Sequence, residues 1–414
     1  NFRIIKKGIP LIDQHDKNFM YGKHGGELIP VTLKKPVSDL RKLFEKLRRD
    51  KSFLKERDDY FKNWVGETRF FKLENLTEHL GGAQIWCKKV SDARGGAHKI
   101  YGAVVHAMLC KRSGRKLMAT DTGAGFNGKL MALACKHFGI SLKVFMGTHD
   151  VERQSENVKA IKALGANIVP VDTGSKTLVD AVSECNRYWM ANCSSTHMAI
   201  GSTVGANIFT KVSAWSTAQI SRELIVQIKD EFGEIPKKLK LLNCVGGGSS
   251  AIGMWNSFMD YPKSQVEFVG IEAGGPRNSP LHAAPLSKGG KLGILHGALQ
   301  YVLMDSEANI MPTASISAGL DYPGVSSLHC FLKDCGRARY TNADDESVLE
   351  AHKLLTELEP DVRPSLEPLH AFAECIRIAP KLSSETVIIV NACGDVLKDI
   401  NIIRKRLGNK YAQI

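Results

Sequence analysis

Short β-branched, apolar runs alternate with helix-length segments through most of this chain, and that alternation limits the fold more than any other feature. Ala83 to Cys87 reads as a strand, His98 to Lys111 as a helix and Lys116 to Thr120 as a strand. Gly128 to His137 then reads as a helix, Leu142 to Met146 as a strand, and Val151 to Leu164 as one helix. Asn167 to Val171 is a strand and Leu178 to Ala191 a helix. Leu241 to Val245, Val266 to Ile271 and Val387 to Asn391 are further strands. Parallel neighbours need a crossover of helical length, so this order predicts an α/β fold with mostly parallel sheets. Nearer the start, residues 1–30 read as loop. Pro36 is placed to open a helix whose inner face is Leu40, Leu43, Phe44 and Leu47. Gly81-Gly82 separates a second helix, near 74–80, from the first strand.

At 414 residues the chain exceeds one typical core. Two three-layer domains are expected. The smaller spans 90–210; the larger combines 1–90 with 210–414. A hydrophobic share of 43% against 24% charged is enough apolar surface to offset chain entropy, which excludes a chain disordered throughout. No apolar run reaches the roughly 20 residues of a membrane-crossing helix, so no membrane role is expected. The opening Asn1 to Gly8 lacks the apolar segment of a signal peptide. Ten cysteines form no CxxC and no dense framework, which reads as free thiols in a reducing, cytoplasmic compartment. The formal charge of +13 favours anionic ligands, but basic and acidic residues alternate in 34–65 and no nucleic-acid motif is present. That charge reads as a solvated surface, with no nucleic-acid partner.

Four glycine-containing loops punctuate these elements: Arg94-Gly95-Gly96-Ala97-His98-Lys99, Thr122-Gly123-Ala124-Gly125, Gly246-Gly247-Gly248-Ser249-Ser250, and Cys393-Gly394. The third carries the clearest signal. It follows a strand and precedes a helix, so its bare backbone and the helix N-terminus present N–H donors to an anion. It lacks Gly-Lys-Ser/Thr and is no Walker loop. Tight turning or close packing is the alternative reading. Lys99 sits beside His98 at a helix start. Such a lysine is usually solvated, yet one held in an apolar cleft loses its proton and forms Schiff bases. Pyridoxal 5'-phosphate requires that lysine, a phosphate cradle and a partner for its ring nitrogen.

Longer motifs narrow the reading. They are Leu76-Thr77-Glu78-His79-Leu80-Gly81-Gly82, Gly96-Ala97-His98-Lys99-Ile100, Thr122-Gly123-Ala124-Gly125 and Asp150-Val151-Glu152-Arg153-Gln154. With them stand Val245-Gly246-Gly247-Gly248-Ser249 and the run from Ser315 through Gly319-Leu320-Asp321-Tyr322-Pro323-Gly324. Over residues 15–400 the chain resembles the tryptophan synthase beta chain family, fold-type II enzymes that use pyridoxal phosphate.

The resemblance implies a cofactor in the cleft between the two domains. It implies that Lys99 holds the cofactor and shuttles a proton, that His98 contacts phosphate, and that Gly246, Gly247, Gly248, Ser249 and Ser250 form the phosphate loop. Thr122, Gly123, Ala124, Gly125, Phe126 and Asn127 match the loop that receives the substrate carboxylate, and Glu367 matches a glutamate near the cofactor ring. A monovalent cation is implied at backbone carbonyls near Gly246, Tyr322 and Gly324. The implied reaction joins L-serine and indole to give L-tryptophan and water, in a homodimer whose segment 114–201 is mobile.

Several positions depart from the family. Asp121 replaces its acid-base glutamate, one methylene shorter in reach. Cys393 replaces the serine beside the pyridine nitrogen. Ser250 stands for asparagine, Phe126-Asn127 for Gln-His, and Tyr101 for asparagine. Asp395-Val396-Leu397-Lys398-Asp399 replaces Arg-Gly-Asp-Lys-Asp. Val179 replaces a lysine that pairs with an alpha subunit, which implies weak coupling to such a partner. Two alternatives stay open: β-replacement with another nucleophile or β-elimination of serine, and a non-catalytic regulatory homologue.

Overall fold

The β-branched run Val387–Asn391 forms a fully buried strand at the centre of a six-stranded sheet. It runs parallel to Leu239–Cys244 on one side and Gln84–Lys89 on the other, with Val387 opposite both Leu239 and Gln84. Beyond Leu239–Cys244 the sheet continues, still parallel, through Val266–Ala273 to the edge strand Ala338–Ala343. The opposite edge, Arg69–Lys72, is antiparallel to Gln84–Lys89. The computed structural model describes residues 5–412; the start of the opening segment, residues 1–4, lies outside them.

A second sheet is wholly parallel, in the order Asn167–Val171, Ser141–Gly147, Leu117–Thr122, Thr196–Ala199. A third, of four strands, is antiparallel: Met20–Tyr21, His24–Gly25, Ala298–Val302 and Lys291–Leu295. The architecture is therefore α/β with mixed parallel and antiparallel sheets. The expectation of mostly parallel pairing describes the first two sheets and missed the third. Among the described residues, no helix is long and apolar enough to cross a membrane.

Two helical expectations need correction. Pro36 does not open its helix, which runs Val31–Leu47 from Pro30, whose carbonyl accepts from the Leu33 N–H. Pro36 sits inside, where its ring removes one hydrogen bond on a mostly exposed face. Its buried stripe, Leu33, Val37, Leu40, Phe44 and Leu47, keeps the helical period. The single helix expected over 151–164 is two, Thr148–Arg153 and Ser155–Ala163. Gln154 breaks it, at φ −119° and ψ 36°.

Lys99–Arg112 is buried on nearly every side and packs on Phe126–Phe138 and Asn207–Thr217. Such all-round burial explains the absence of an amphipathic stripe in its sequence. Trp255 lies nearly parallel to Phe268 at 5.1 Å, and its indole N–H donates to the Leu241 carbonyl at 3.2 Å. This fastens the short helix Ser249–Trp255 to the strand that precedes it. Leu117–Thr122 and Leu239–Cys244 each lie inside their sheets, and the chain leaves both at one shared cavity. Crevices beyond the carboxyl ends of such strands are where open α/β sheets take ligands.

Candidate functional site

The cavity is walled by the loops that follow these strands and by the start of the Lys99 helix. Gly248 turns the third loop with φ +93°, a conformation that costs glycine nothing. A β-carbon there would overlap the His329 ring, whose Nε2 is 2.9 Å from the Gly248 carbonyl oxygen. The far nitrogen of His329 is 2.7 Å from the Tyr340 hydroxyl, so an aromatic pair buttresses the loop from behind. At Gly247 a β-carbon would overlap the hydroxyl of Ser202 across the cavity. Among the described residues, no carbonyl or side chain accepts from the N–H groups of Gly246, Gly247, Gly248, Ser249 and Ser250. Five unpartnered donors on a bare backbone form a cradle for an anion.

His98 joins this cradle: Nε2 is 3.0 Å from Ser249 Oγ and Nδ1 is 3.2 Å from the Cys393 carbonyl. Ser250 Oγ accepts from Asn391 Nδ2 at 3.1 Å. Lys99 Nζ donates to the Gly201 carbonyl at 2.8 Å. Burial pushes its pKa down, against the attraction of Asp121. The ammonium form is thereby destabilised, which suits a lysine required as a neutral amine.

Asp121 closes the other side. Its Oδ1 is buried without a partner among the described residues. Burial raises its carboxyl to about 6, with Lys99 pulling the other way. The following loop leaves the N–H groups of Ala124, Gly125, Phe126 and Asn127 without acceptors among the described residues. They lie at the N-terminus of Phe126–Phe138, a second place for an anion. Thr122, Gly123, Ala124, Phe126 and Asn127 all line the cavity. Gly125 turns behind it at φ +86°, against Asn157. The Asn127 amide points back to its own strand, donating to Thr120 Oγ1 at 2.9 Å and the Asp121 carbonyl at 2.6 Å.

Glu367 lines the same cavity. It accepts from the Ser365 hydroxyl at 2.6 Å, the Gly319 N–H at 3.2 Å and Lys398 Nζ at 2.8 Å. Burial opposes its ionisation, yet Lys398 and Ser365 hold the carboxyl down at about 2. Lys398 also meets Asp399 Oδ1 at 2.6 Å. The final Lys-Asp of the divergent Asp395–Asp399 segment is therefore engaged beside the cavity. Cys393 is 3% exposed, its sulfur 3.6 Å from that of Cys244. Tyr322 lines the cavity and Gly324 does not. Tyr101 lies outside it too, its ring edge-on to Phe61. Among the described residues, no cluster of three or more His, Cys, Asp or Glu side chains is placed to hold a metal.

Sequence reading missed part of the wall. Gly201 and Ser202 follow the short strand Thr196–Ala199, and the run Gly201-Ser202-Thr203 was a detectable loop signal. Leu178 and Val182, on Leu178–Asn192, add an apolar side. Val179, on that helix, is half-buried against the core, and His296 Nε2 lies 3.2 Å from its carbonyl. Nothing local in the sequence marks these residues, because distant segments bring them together.

Comparison with known proteins places this geometry in context. Residues 62–394 match the family model described as "Pyridoxal-phosphate dependent enzyme". The chain is 40% identical over 397 residues to the tryptophan synthase beta chain of Rhodopseudomonas palustris, covering 96% of this chain and 97% of that one. It is 39% identical over 393 residues to that of Chromobacterium violaceum, covering 94% and 97%. It is 39% identical over 385 residues to that of Bacillus pumilus, covering 92% and 95%. Among solved structures, holo diaminopropionate ammonia lyase from Escherichia coli superposes with a TM-score of 0.65 at 16% identity. It covers 96% of this chain and 97% of that one, a likeness of fold.

Proposed function

The chain belongs to the pyridoxal-phosphate-dependent enzymes and, among them, to the tryptophan synthase beta chain family, and from that premise we propose that its β-replacement joins L-serine to indole, giving L-tryptophan and water. The cavity residues fit the cofactor. Gly246–Ser250 offers five unpartnered N–H groups to a phosphate, Gly247 and Gly248 have no room for a side chain, and the half-buried Lys99 lines the same cavity. When bound, pyridoxal phosphate supplies the conjugated ring that stores the electrons freed from the substrate Cα. We place it in the cleft between a smaller domain, 90–210, and a larger one built from 1–90 and 210–414. The support is that the cavity walls come from both sheets.

Each residue then has a task. Lys99 Nζ holds the cofactor, takes the proton from serine Cα and returns it after the new bond forms. Asp121 delivers a proton to the serine β-hydroxyl as it leaves. Its raised pKa suits an acid that must carry a proton near neutrality. The N–H groups of Ala124 to Asn127, with Thr122 and Gly123, hold the substrate carboxylate. His98, Ser249 and Ser250 support the phosphate, while Glu367 and Cys393 face the ring. Phe126, Leu178, Val182 and Ile200 exclude bulk water and give an apolar bed to indole. A monovalent cation beside Gly246, Tyr322 and Gly324 is part of this reading. Its support is the family resemblance, with Gly246 and Tyr322 both at the cavity wall.

Partners follow from the same relatives: a homodimer, with an alpha subunit only weakly coupled, since Val179 offers no charge to pair. Ten unpaired cysteines suit a reducing compartment and support a cytoplasmic location. The observation that carries the function is the meeting of Lys99, Asp121 and the Gly246–Ser250 cradle in one cavity. Product analysis with pyridoxal phosphate and L-serine, with and without indole, tests it. L-tryptophan is expected with indole, and an added alpha subunit changes the rate by less than about threefold. Pyruvate and ammonia as the main products in both arms would favour β-elimination. No turnover in either would favour the non-catalytic reading.

Gly247→Val is expected to weaken pyridoxal phosphate retention at least about tenfold, the effect of losing about 1.4 kcal/mol. The valine would have to displace Ser202 and Val204, both within 3.2 Å of its β-carbon. Equilibrium dialysis of the folded variant measures this, and native affinity would remove the loop from the phosphate site.

A further inference from the structure

Cys244 is the last residue of one strand and Cys393 stands two residues past the end of its neighbour, both lining the cavity. Leu239–Cys244 and Val387–Asn391 are paired in parallel through Leu242 opposite Val390, which brings the residues just beyond them side by side. The two sulfurs are 3.6 Å apart, and both residues line the cavity. Among the described residues no other two cysteine sulfurs meet. Leu320, Ala273 and Ala283 pack around the pair, with His98 and Ser250 beside Cys393.

We propose that Cys244 and Cys393 form an oxidisable dithiol, which a small peroxide entering the open cavity closes into a disulfide that excludes the cofactor. The inference rests on the proposed cofactor site for its consequence, but not for its chemistry. The two thiols can hydrogen-bond in either direction; we take Cys393 as the attacking sulfur because His98 and Ser250 stand on its side and favour its thiolate, while burial opposes it. Cys244 is correspondingly held in its thiol form by Cys393 and by burial. The thiolate is the reactive form of cysteine. Cys393 Sγ attacks one peroxide oxygen, the O–O bond breaks and one water leaves, giving a sulfenic acid. Cys244 Sγ then attacks that sulfur, the S–S bond forms, the S–O bond breaks and a second water carries off the remaining thiol proton. The two sulfurs lose two electrons and the peroxide gains them.

The consequence follows from place. Cys393 occupies the position assigned to the partner of the ring nitrogen, between His98 and Gly394. Drawing its sulfur onto Cys244 withdraws that partner and tethers the phosphate loop, which starts two residues after Cys244, to the Cys393-Gly394 turn. A cofactor held in this cavity would cover the two sulfurs that line it, so oxidation would select the empty enzyme.

The test uses the full chain with and without pyridoxal phosphate, treated with hydrogen peroxide, alkylated without reductant and mapped by peptide mass. In the cofactor-free protein one linked peptide pair, Cys244 with Cys393, is expected, two hydrogens lighter than the thiols. Subsequent cofactor uptake falls at least about tenfold and dithiothreitol restores it. With cofactor bound, both sulfurs alkylate. Cys244→Ser keeps cofactor binding, forms no link, and leaves Cys393 as a sulfenic acid that dimedone traps. Free Cys244 and Cys393 after peroxide in the empty protein, or links elsewhere only, would overturn the inference. So would a linked protein that takes up cofactor as before. If the reduced chain takes up no pyridoxal phosphate at all, the proposed function fails instead, and the mass measurement still reads the dithiol.

Discussion

Lys99→Ala lowers L-tryptophan formation from L-serine and indole by about 10⁴-fold, the upper end of what one positioned acid-base group contributes. The effect is expected to be this large because one amine does three things: it holds the cofactor, removes the Cα proton and returns it. The Gly246–Ser250 cradle is untouched, so the variant still takes up pyridoxal phosphate, now without a covalent link. Borohydride treatment of the loaded protein, followed by peptide mapping, measures this. The adduct belongs on Lys99 in the parent chain and is absent from the variant. An adduct on any other lysine in the parent chain sinks the assignment. The variant's far-UV circular dichroism must match that of the parent, since Lys99 is half-buried and its amine satisfies the Gly201 carbonyl.

Asp121→Asn preserves shape and cofactor uptake but slows loss of the serine hydroxyl by about 10²–10⁴-fold. Rapid-scanning spectroscopy and product analysis on one preparation check it, and near-parental turnover would make Asp121 structural. The same variant carries a second, opposite signature. Asp121 has a folded-state pKa of about 6 against 3.8 when unperturbed. Between those values the folded chain keeps a proton that the unfolded chain has released. Stability contributed by this group therefore falls as pH rises from about 4 to about 6. Asparagine has no proton to lose. In cofactor-free protein, the variant is expected to gain stability relative to the parent across that window, read by urea denaturation at pH 4.5 and 7. A residue that acts in turnover at a cost in stability behaves this way; a structural aspartate does not.

Most strands visible in the sequence are those that the fold buries on both faces; the half-exposed edge strand Asn167–Val171 was legible through its β-branched residues instead. Val387-Ile388-Ile389-Val390 and Leu239–Cys244 lie inside the six-stranded sheet and read as apolar runs. Arg69–Lys72, Thr196–Ala199 and Ala338–Ala343 are edge strands. The first and last are half-exposed along most of their length and Thr196–Ala199 has only four residues, so none has an apolar run to detect. The hairpin Lys291–Leu295 to Ala298–Val302 turns on His296-Gly297, both at positive φ. A histidine is an unusual first residue for such a turn, where asparagine or glycine is the common signal.

The site divides in the same manner. Lys99, His98 and the Gly246–Ser250 loop were legible because their chemistry is local: a glycine run after a strand, a lysine opening a helix. Asp121 and Cys393 were legible only through resemblance, since an isolated aspartate or cysteine carries no spacing. Leu178 and Val182 were not legible by either route, and Gly201 only as part of a loop, with nothing to tie it to the site. Their part depends on tertiary approach, with the Gly201 carbonyl reaching an amine 102 residues away in sequence.

The strand at the middle of the six-stranded sheet is the last of its six in chain order. Until Val387–Asn391 leaves the ribosome, Gln84–Lys89 and Leu239–Cys244 have no partner between them. The phosphate cradle and the lysine helix stand on opposite sides of that gap. The sheet is thus closed by its latest-made strand, and long-range pairing of this kind is slow and leaves open strand edges exposed in the meantime. A nascent chain stopped before residue 387 has every residue named for serine binding and acid-base chemistry, yet no continuous floor beneath them. Cofactor capture is thereby expected only once synthesis has passed residue 391, where the strand that joins the two sides is complete.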